Sequence, residues 1–234
     1  MFRYLLFFLL ISTLAVAQEE PSYNEEFVTG VNFNTNGGII GGAMFRYARK
    51  IETGRFHNFS LEIVNVKHAK ERKETSLLTG NVYVYGKARA FFAVRPQYGQ
   101  EFIVFRKANE DGVQVNAIIA AGPSIGILKP YFIDYSYGTN DIRQEAYDYE
   151  FHKRENIMGS SGLLKGFGDS DLALGLNCKA GLTFEFGHFT SNVTGLEIGM
   201  LTEAFTKRMV MLPMSENNWL FTSLYLNLYF GTRR

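Results

Sequence analysis

The chain has 234 residues, with 24 Lys and Arg against 23 Asp and Glu, and it holds 21 Phe, 13 Tyr and 23 Gly but only 5 Pro. That near-neutral balance excludes the basic surface that holds nucleic acid. A single cysteine, Cys178, excludes an intrachain disulfide, and beyond the first segment no apolar run reaches the roughly 18 residues of a spanning helix.

Residues 1–17 read as a secretory signal peptide. Arg3 precedes an apolar run from Leu5 to Ile11, and Ala15-Val16-Ala17 supplies the small residues a signal peptidase reads. The run is shorter than a spanning anchor requires. Cleavage after Ala17 leaves one domain, 18–234, with 23 bases facing 23 acids once Arg3 is removed. Past that point the dominant period is two, and only an extended strand turns such alternation into two faces. Segment 25–35 is a possible strand. The expected strands are 38–51, 55–66, 80–94, 100–108, 112–128, 170–186, 190–204 and 218–231. Turn signals separate them at Asn36-Gly37-Gly38, Glu52-Thr53-Gly54, Pro96-Gln97-Tyr98-Gly99 and Asn109-Glu110-Asp111-Gly112.

Several of these runs exceed the five or six residues usual in soluble strands and match the 9–11 of spanning ones. In 171–186, for example, Leu172, Leu174, Leu176, Leu182 and Phe184 alternate with Asp171, Asn177, Lys179 and Glu185. A soluble lipocalin-like barrel alternates too, with its apolar face inward. Strand length, charge on the polar face and the closing aromatic pair Tyr229-Phe230 favour lipid around the barrel instead. The expected fold is all-β: a closed antiparallel up-and-down membrane β-barrel of eight strands, or ten if 25–35 and 130–137 both join. With both termini periplasmic, the outside connections become 52–54, 95–99, 129–169 and 205–217. The basic loop 67–79 then falls on the periplasmic side, where short turns are usual.

The polar faces assemble a candidate lumenal charge network of Arg46, Glu62, Lys87, Arg89, Lys179, Glu185, Glu197 and Glu203. A small barrel is just wide enough to be filled by its side chains, so a plugged core is favoured over a polar path. The histidines are scattered, with no HExxH and no Cys/His cluster, so neither a metal nor a cofactor is expected. The nearest hydroxyl pairings are His57 with Ser60 and His188 with Thr190, and neither comes with an orienting third group. Gly159-Ser160-Ser161-Gly162 is not a GxSxG motif. Lys67, His68, Lys70, Arg72 and Lys73 form the densest basic run, suited to lipid phosphates or an acidic partner. Glu71 and Glu74 interrupt it, which favours a solvated loop. The segment 129–169 is too aromatic for simple disorder. Its Tyr131, Tyr135, Tyr137, Tyr147 and Tyr149 are a candidate contact surface for a protein or glycan, or part of an interfacial girdle.

The Ala120-Ala121-Gly122-Pro123-Ser124-Ile125-Gly126 and Leu226-Asn227-Leu228-Tyr229-Phe230-Gly231 strands, with the leader, resemble the small outer-membrane β-barrel proteins of Bacteroidota, a porin-like group. The resemblance implies an outer-membrane location and a barrel, and it supplies no catalytic residues. Some members of that group serve secretion or gliding machinery. The expectation is a non-enzymatic barrel with a structural, binding or secretion-accessory role through its loops. Its partners are outer-membrane lipid and another envelope or secretion protein. A narrow pore and a lipid-modifying enzyme are the alternatives.

Overall fold

A computed structural model describes residues 23–106, 112–138, 140–162, 165–186 and 191–234. The expected leader, most of the 109–112 turn, His188 and Thr190 lie outside the described residues. Eight long strands form the barrel: β1 (Glu25–Asn34), β2 (Gly38–Glu52), β3 (Arg55–Val66), β6 (Arg89–Phe105), β7 (Gln114–Pro130), β11 (Asp171–Phe186), β12 (Asn192–Phe205) and β13 (Leu220–Arg233). Short strands stand in the connections: β4 (Lys73–Thr75), β5 (Val82–Val84), β8 (Phe132–Gly138), β9 (Asp141–Ala146) and β10 (Ile157–Ser160). Each barrel strand pairs antiparallel with the next, and β1 closes the ring on β13 from Glu26 opposite Arg233 to Asn34 opposite Tyr225. The fold is a closed up-and-down barrel with no free edge.

Two expectations are corrected. Segment 25–34 is a full barrel strand, and 80–94 with 100–108 is not a pair of strands. Residues 89–105 run as the single strand β6, straight through the supposed turn at Pro96 to Gly99. Proline normally ends a central strand because it cannot donate to the ladder. Here the β6–β7 pairing lapses between Val94 opposite Ile125 and Tyr98 opposite Ala121, and Pro96 and Pro123 fall opposite each other in that gap. The two missing donors are thereby confined to one stretch of one seam. Gly122 belongs to the same stretch, since a Cβ there would meet the Pro96 carbonyl oxygen at 2.1 Å.

The corrected strand set also re-sorts the ends. Connections 35–37, 67–88, 131–170 and 206–219 share one end of the barrel. Connections 53–54, 106–113 and 187–191 share the other with the first and last strand ends. All the long connections are thus on one side. The 52–54 turn expected outside lies at the strand-terminus end, and the 67–79 segment expected on the periplasmic side lies with the long loops. The tightest turn, Thr53-Gly54, uses glycine at φ +77°.

The outer wall is apolar. On β11, Leu172, Leu174, Leu176 and Leu182 point outward while Asn177, Lys179, Thr183 and Glu185 point in. Phe27, Phe45, Phe59, Leu61, Ile119, Ile198, Leu224 and Phe230 continue the belt round the ring. Among the described residues, outward acids and bases of the barrel strands occur only at its two rims: Glu25, Arg49, Arg55 and His57 at one, Lys129 at the other. The apolar column from Leu172 to Phe186 spans about 35 Å at ~3.3 Å per residue and a ~40° tilt, enough to cross a hydrocarbon layer.

The inside is filled in layers. At the long-loop end, Met209 and Met211 descend from connection 206–219 onto Val64, Phe91, Leu128 and Phe205. At the opposite end, Tyr23 stacks on Phe56, with centroids 5.1 Å apart, and packs with Ala48 and Ile103. Between the two lies a polar layer.

Candidate functional site

The strand period places every second side chain in the lumen, and the polar layer is built from those positions. Lys179 Nζ donates to Glu62 Oε1 at 2.8 Å and to Glu197 Oε1 at 3.1 Å. Arg46 Nη1 donates to Glu197 Oε2 at 3.0 Å, its Nη2 donates to Glu26 Oε1 at 3.2 Å, and its guanidinium lies 4.6 Å from the Tyr229 ring. Arg95 grips Glu203 with two donors, at 2.9 and 2.5 Å, and lies 3.5 Å from Glu62. Tyr225 donates its hydroxyl to Glu197 at 2.8 Å. Towards the strand termini, Arg233 bridges Glu26, at 2.7 Å, and Glu185. Asn116 Nδ2 donates to both Glu101, at 2.6 Å, and Glu185, at 3.1 Å. Arg46, Glu62, Lys179 and Glu197 are each at most 1% exposed.

The structure therefore brings Arg46, Glu62, Lys179, Glu185, Glu197 and Glu203 into the lumen, sets Arg89 at its mouth and leaves Lys87 out of it. Lys87 precedes β6 and binds Glu71 at 2.7 Å in the long-loop end. Arg89 pairs with Asp171 at the long-loop mouth, where both stand partly exposed on the lumen-facing side of their strands. Lys87 was misplaced because residues 80–88 were given to a barrel strand. Four members were missed: Glu26, Arg95, Glu101 and Arg233. Arg95 was hidden by the supposed turn. The others are legible by parity once β1 and a continuous β6 are drawn and β13 is carried on to Arg233.

The long loops form a second structure above the barrel. β8 is flanked by β9 and β10 in one sheet, and β4 pairs with β5 in another. Tyr83, Ile133, Tyr135, Tyr147 and Ile157 form a common core, with Tyr131 and Tyr149 packed against it. Hydrogen bonds tie connection 67–88 to 131–170. Ser76 Oγ donates to the Ile157 carbonyl at 2.6 Å, and the Val84 amide donates to the Tyr131 hydroxyl at 3.0 Å. Arg154 binds Glu74 at 2.8 Å. Burial drives the Tyr147 hydroxyl up to about 12. This corrects the contact-surface reading. Tyr135 and Tyr147 are buried, Tyr131 and Tyr149 are half-buried, and of the five only Tyr137 stands exposed, under the Arg143 guanidinium. The tyrosines hold the module together. Its exposed apolar side chains are instead Leu77, Leu78, Val82, Ile142 and Phe151, with Leu77 at 80% and Phe151 at 63%.

The histidines separate in space. His57 and Ser60 are an odd number of residues apart on β3 and face opposite ways. His57 Nδ1 lies 2.8 Å from the Tyr98 hydroxyl on the outer wall, whereas Ser60 donates to Gln97 at 3.0 Å inside. His152 packs edge-on against Tyr135, with centroids 4.7 Å apart, in the module core. Ser161, in the Gly159–Gly162 segment, donates to Asp134 at 2.6 Å. Among the described residues no His, Cys, Asp and Glu side chains group as metal ligands.

No protein-family model matches the chain, and no curated protein matches it. Among solved structures it is similar to Ail, the attachment invasion locus protein of Yersinia pestis, at 13% identity and a TM-score of 0.40 over 91% of this chain and 99% of that one. Ail in complex with the heparin analogue sucrose octasulfate gives 12% identity and the same TM-score and coverage. Neisserial surface protein A gives 7% identity and a TM-score of 0.43 over 91% of this chain and 97% of that one.

Proposed function

We propose that this protein is a non-enzymatic outer-membrane barrel that conducts nothing through its wall and presents the long-loop module outward as a binding surface. The observation that carries this reading is the pairing of a filled lumen with an ordered module at one end only. A barrel packed from Met209 through the Lys179 network to Tyr23 is a scaffold. Binding residues concentrate on the connections that such a scaffold holds rigid. An apolar belt with acids and bases confined to its rims supports a bilayer around the wall, and closed spanning barrels are the β-structures of outer membranes. The exposed Leu77, Leu78, Ile142 and Phe151 support a protein or glycan surface as the partner class.

The test is recovery from solubilised outer membranes with the intact chain and with a chain lacking 138–165. Heat-modifiable gel migration serves as the check that each barrel is folded. A partner recovered with the first and lost with the second supports the reading. Equal recovery from both refutes it. In planar bilayers the intact chain is expected to give no steady conductance, and discrete open-channel steps would favour the narrow pore.

A further inference from the structure

The basic run was discounted from sequence because Glu71 and Glu74 interrupt it, and the structure removes that objection. Glu71 is engaged by Lys87 at 2.7 Å, and Glu74 by Arg154 at 2.8 Å. Lys67, Lys70, Arg72 and Lys73 form no ion pair among the described residues. Lys67, Lys70 and Arg72 line a groove between residues 67–72 and the 215–222 segment, seen as two adjoining cavities of about 290 and 560 Å³ that share Ala69 and Lys70, and Lys73 follows Arg72 at its edge in the chain. The groove is held open by its own hydrogen bonds. The Lys67 amide donates to the Asn36 carbonyl at 2.7 Å, the Lys70 amide donates to His68 Nδ1 at 3.1 Å, and His68 Nε2 donates to the Glu216 carbonyl at 2.9 Å. Glu216 is the one acidic residue lining the first cavity, and Glu71, held by Lys87, is the one lining the second.

The position of the groove selects the ligand. Its wall includes Leu220, Phe221 and Thr222, where β13 begins. Leu220 also heads the outward apolar column that runs down through Leu224 and Leu228 to Phe230. Cations thus stand directly above a wall suited to acyl chains, at the end of the barrel that carries the long loops. We propose that this groove binds the phosphate groups of an outer-leaflet lipid whose chains lie along β13. The inference rests on the membrane reading above and concerns a site separate from the module's exposed apolar surface. Ammonium and guanidinium donors meet phosphate oxygens with charge-assisted hydrogen bonds, and each cation near an anionic lipid surface adds about fivefold in affinity.

The experiment uses the full chain refolded in neutral detergent, with bisphosphorylated lipid A as the probe. The variant carries Lys67→Gln, Lys70→Gln, Arg72→Gln and Lys73→Gln, all on an exposed connection, and a control carries Arg143→Gln and Lys153→Gln. Heat-modifiable migration is read on every sample, so failure of the barrel is separated from failure of the groove. The fourfold variant is expected to bind at least about a hundredfold more weakly while migrating like the wild type, given about fivefold per cation. Lipid A with one phosphate is expected to bind the wild type more weakly, and the control to stay within twofold. Binding of the fourfold variant within twofold of wild type overturns the proposal. Inorganic phosphate occupying the groove as tightly as the lipid overturns the lipid as its source. A wild type without heat-modifiable migration overturns the membrane reading and the proposal with it.

Discussion

Lys179 is the most direct lever on the filled lumen. Its ammonium is 1% exposed, sits between Glu62 and Glu197, and lies 5.4 Å from the Tyr225 ring. Lys179→Met keeps the stem volume and deletes the charge. Removing one partner of a buried pair typically costs about 3–5 kcal/mol. Here the lower end applies, because each acid keeps another donor. Glu62 retains Arg95 at 3.5 Å, and Glu197 retains Arg46 at 3.0 Å and Tyr225 at 2.8 Å. The expected loss is therefore about 3 kcal/mol, read from urea unfolding of the barrel in lipid vesicles by tryptophan fluorescence and gel migration. Adding Glu62→Gln removes the acid left with the weaker remaining partner, so the double variant is expected to recover part of the loss, with a coupling of about 1–3 kcal/mol. A cost below about 0.5 kcal/mol for Lys179→Met would mean that these charges are solvated. The lumen would then be wet, and the scaffold reading would yield to a pore.

Three further outcomes follow from the geometry. Leu224→Arg, on the outward belt, is expected to destabilise the inserted barrel by about 2–4 kcal/mol in the same unfolding assay, and a neutral result would reverse the assignment of faces. In the loop module, the Tyr147 hydroxyl is held protonated up to about 12, above its unfolded value near 10. Its stabilising contribution is complete below pH ~10 and is lost as the pH rises through about 12, so the late tyrosine ionisation seen by ultraviolet titration should lose a component in a Tyr147→Phe variant, and the module should become protease-sensitive over the same pH range. Tyr135→Ala removes a buried ring packed edge-on against His152 and Tyr137. It is expected to loosen the module by roughly 3 kcal/mol and speed trypsin cleavage near Arg154, with barrel migration unchanged; unchanged cleavage would mean the tyrosine core does not hold the loops.

Period-two alternation made most of the barrel legible, because one-sided burial writes itself directly into a strand. The bounds of β2, β3, β7, β11, β12 and β13 fall within two residues of those expected, and the outward leucines of β11 and β13 were assigned to the correct face. The misreading at Pro96 came from a local rule that holds for single strands. The structure escapes it because Pro123 on the neighbouring strand fills the same gap, a pairing that no local pattern reveals. That error hid Arg95, while leaving β1 out of the barrel reversed the membrane sides of the 52–54 and 67–79 connections. The tyrosines of 131–149 were singled out correctly as ordered, yet their burial depends on Tyr83 and Ser76 from a distant connection. Met209 and Met211 closing the long-loop mouth left no periodic signature at all, since they lie in an irregular segment.

The central claim is an outer-membrane barrel with its long loops outside, and trypsin added to intact cells tests it most directly. Cut sites are mapped by mass spectrometry before and after the outer membrane is opened. Cleavage in intact cells is expected at Lys70 to Lys73, at Arg143, and at Lys153 or Arg154, all at the long-loop end. Arg49 and Arg55, which flank the turn at the strand-terminus end, are expected to be cut only after permeabilisation. Cleavage at Arg49 or Arg55 in intact cells, with the long loops spared until the membrane is opened, would contradict the account.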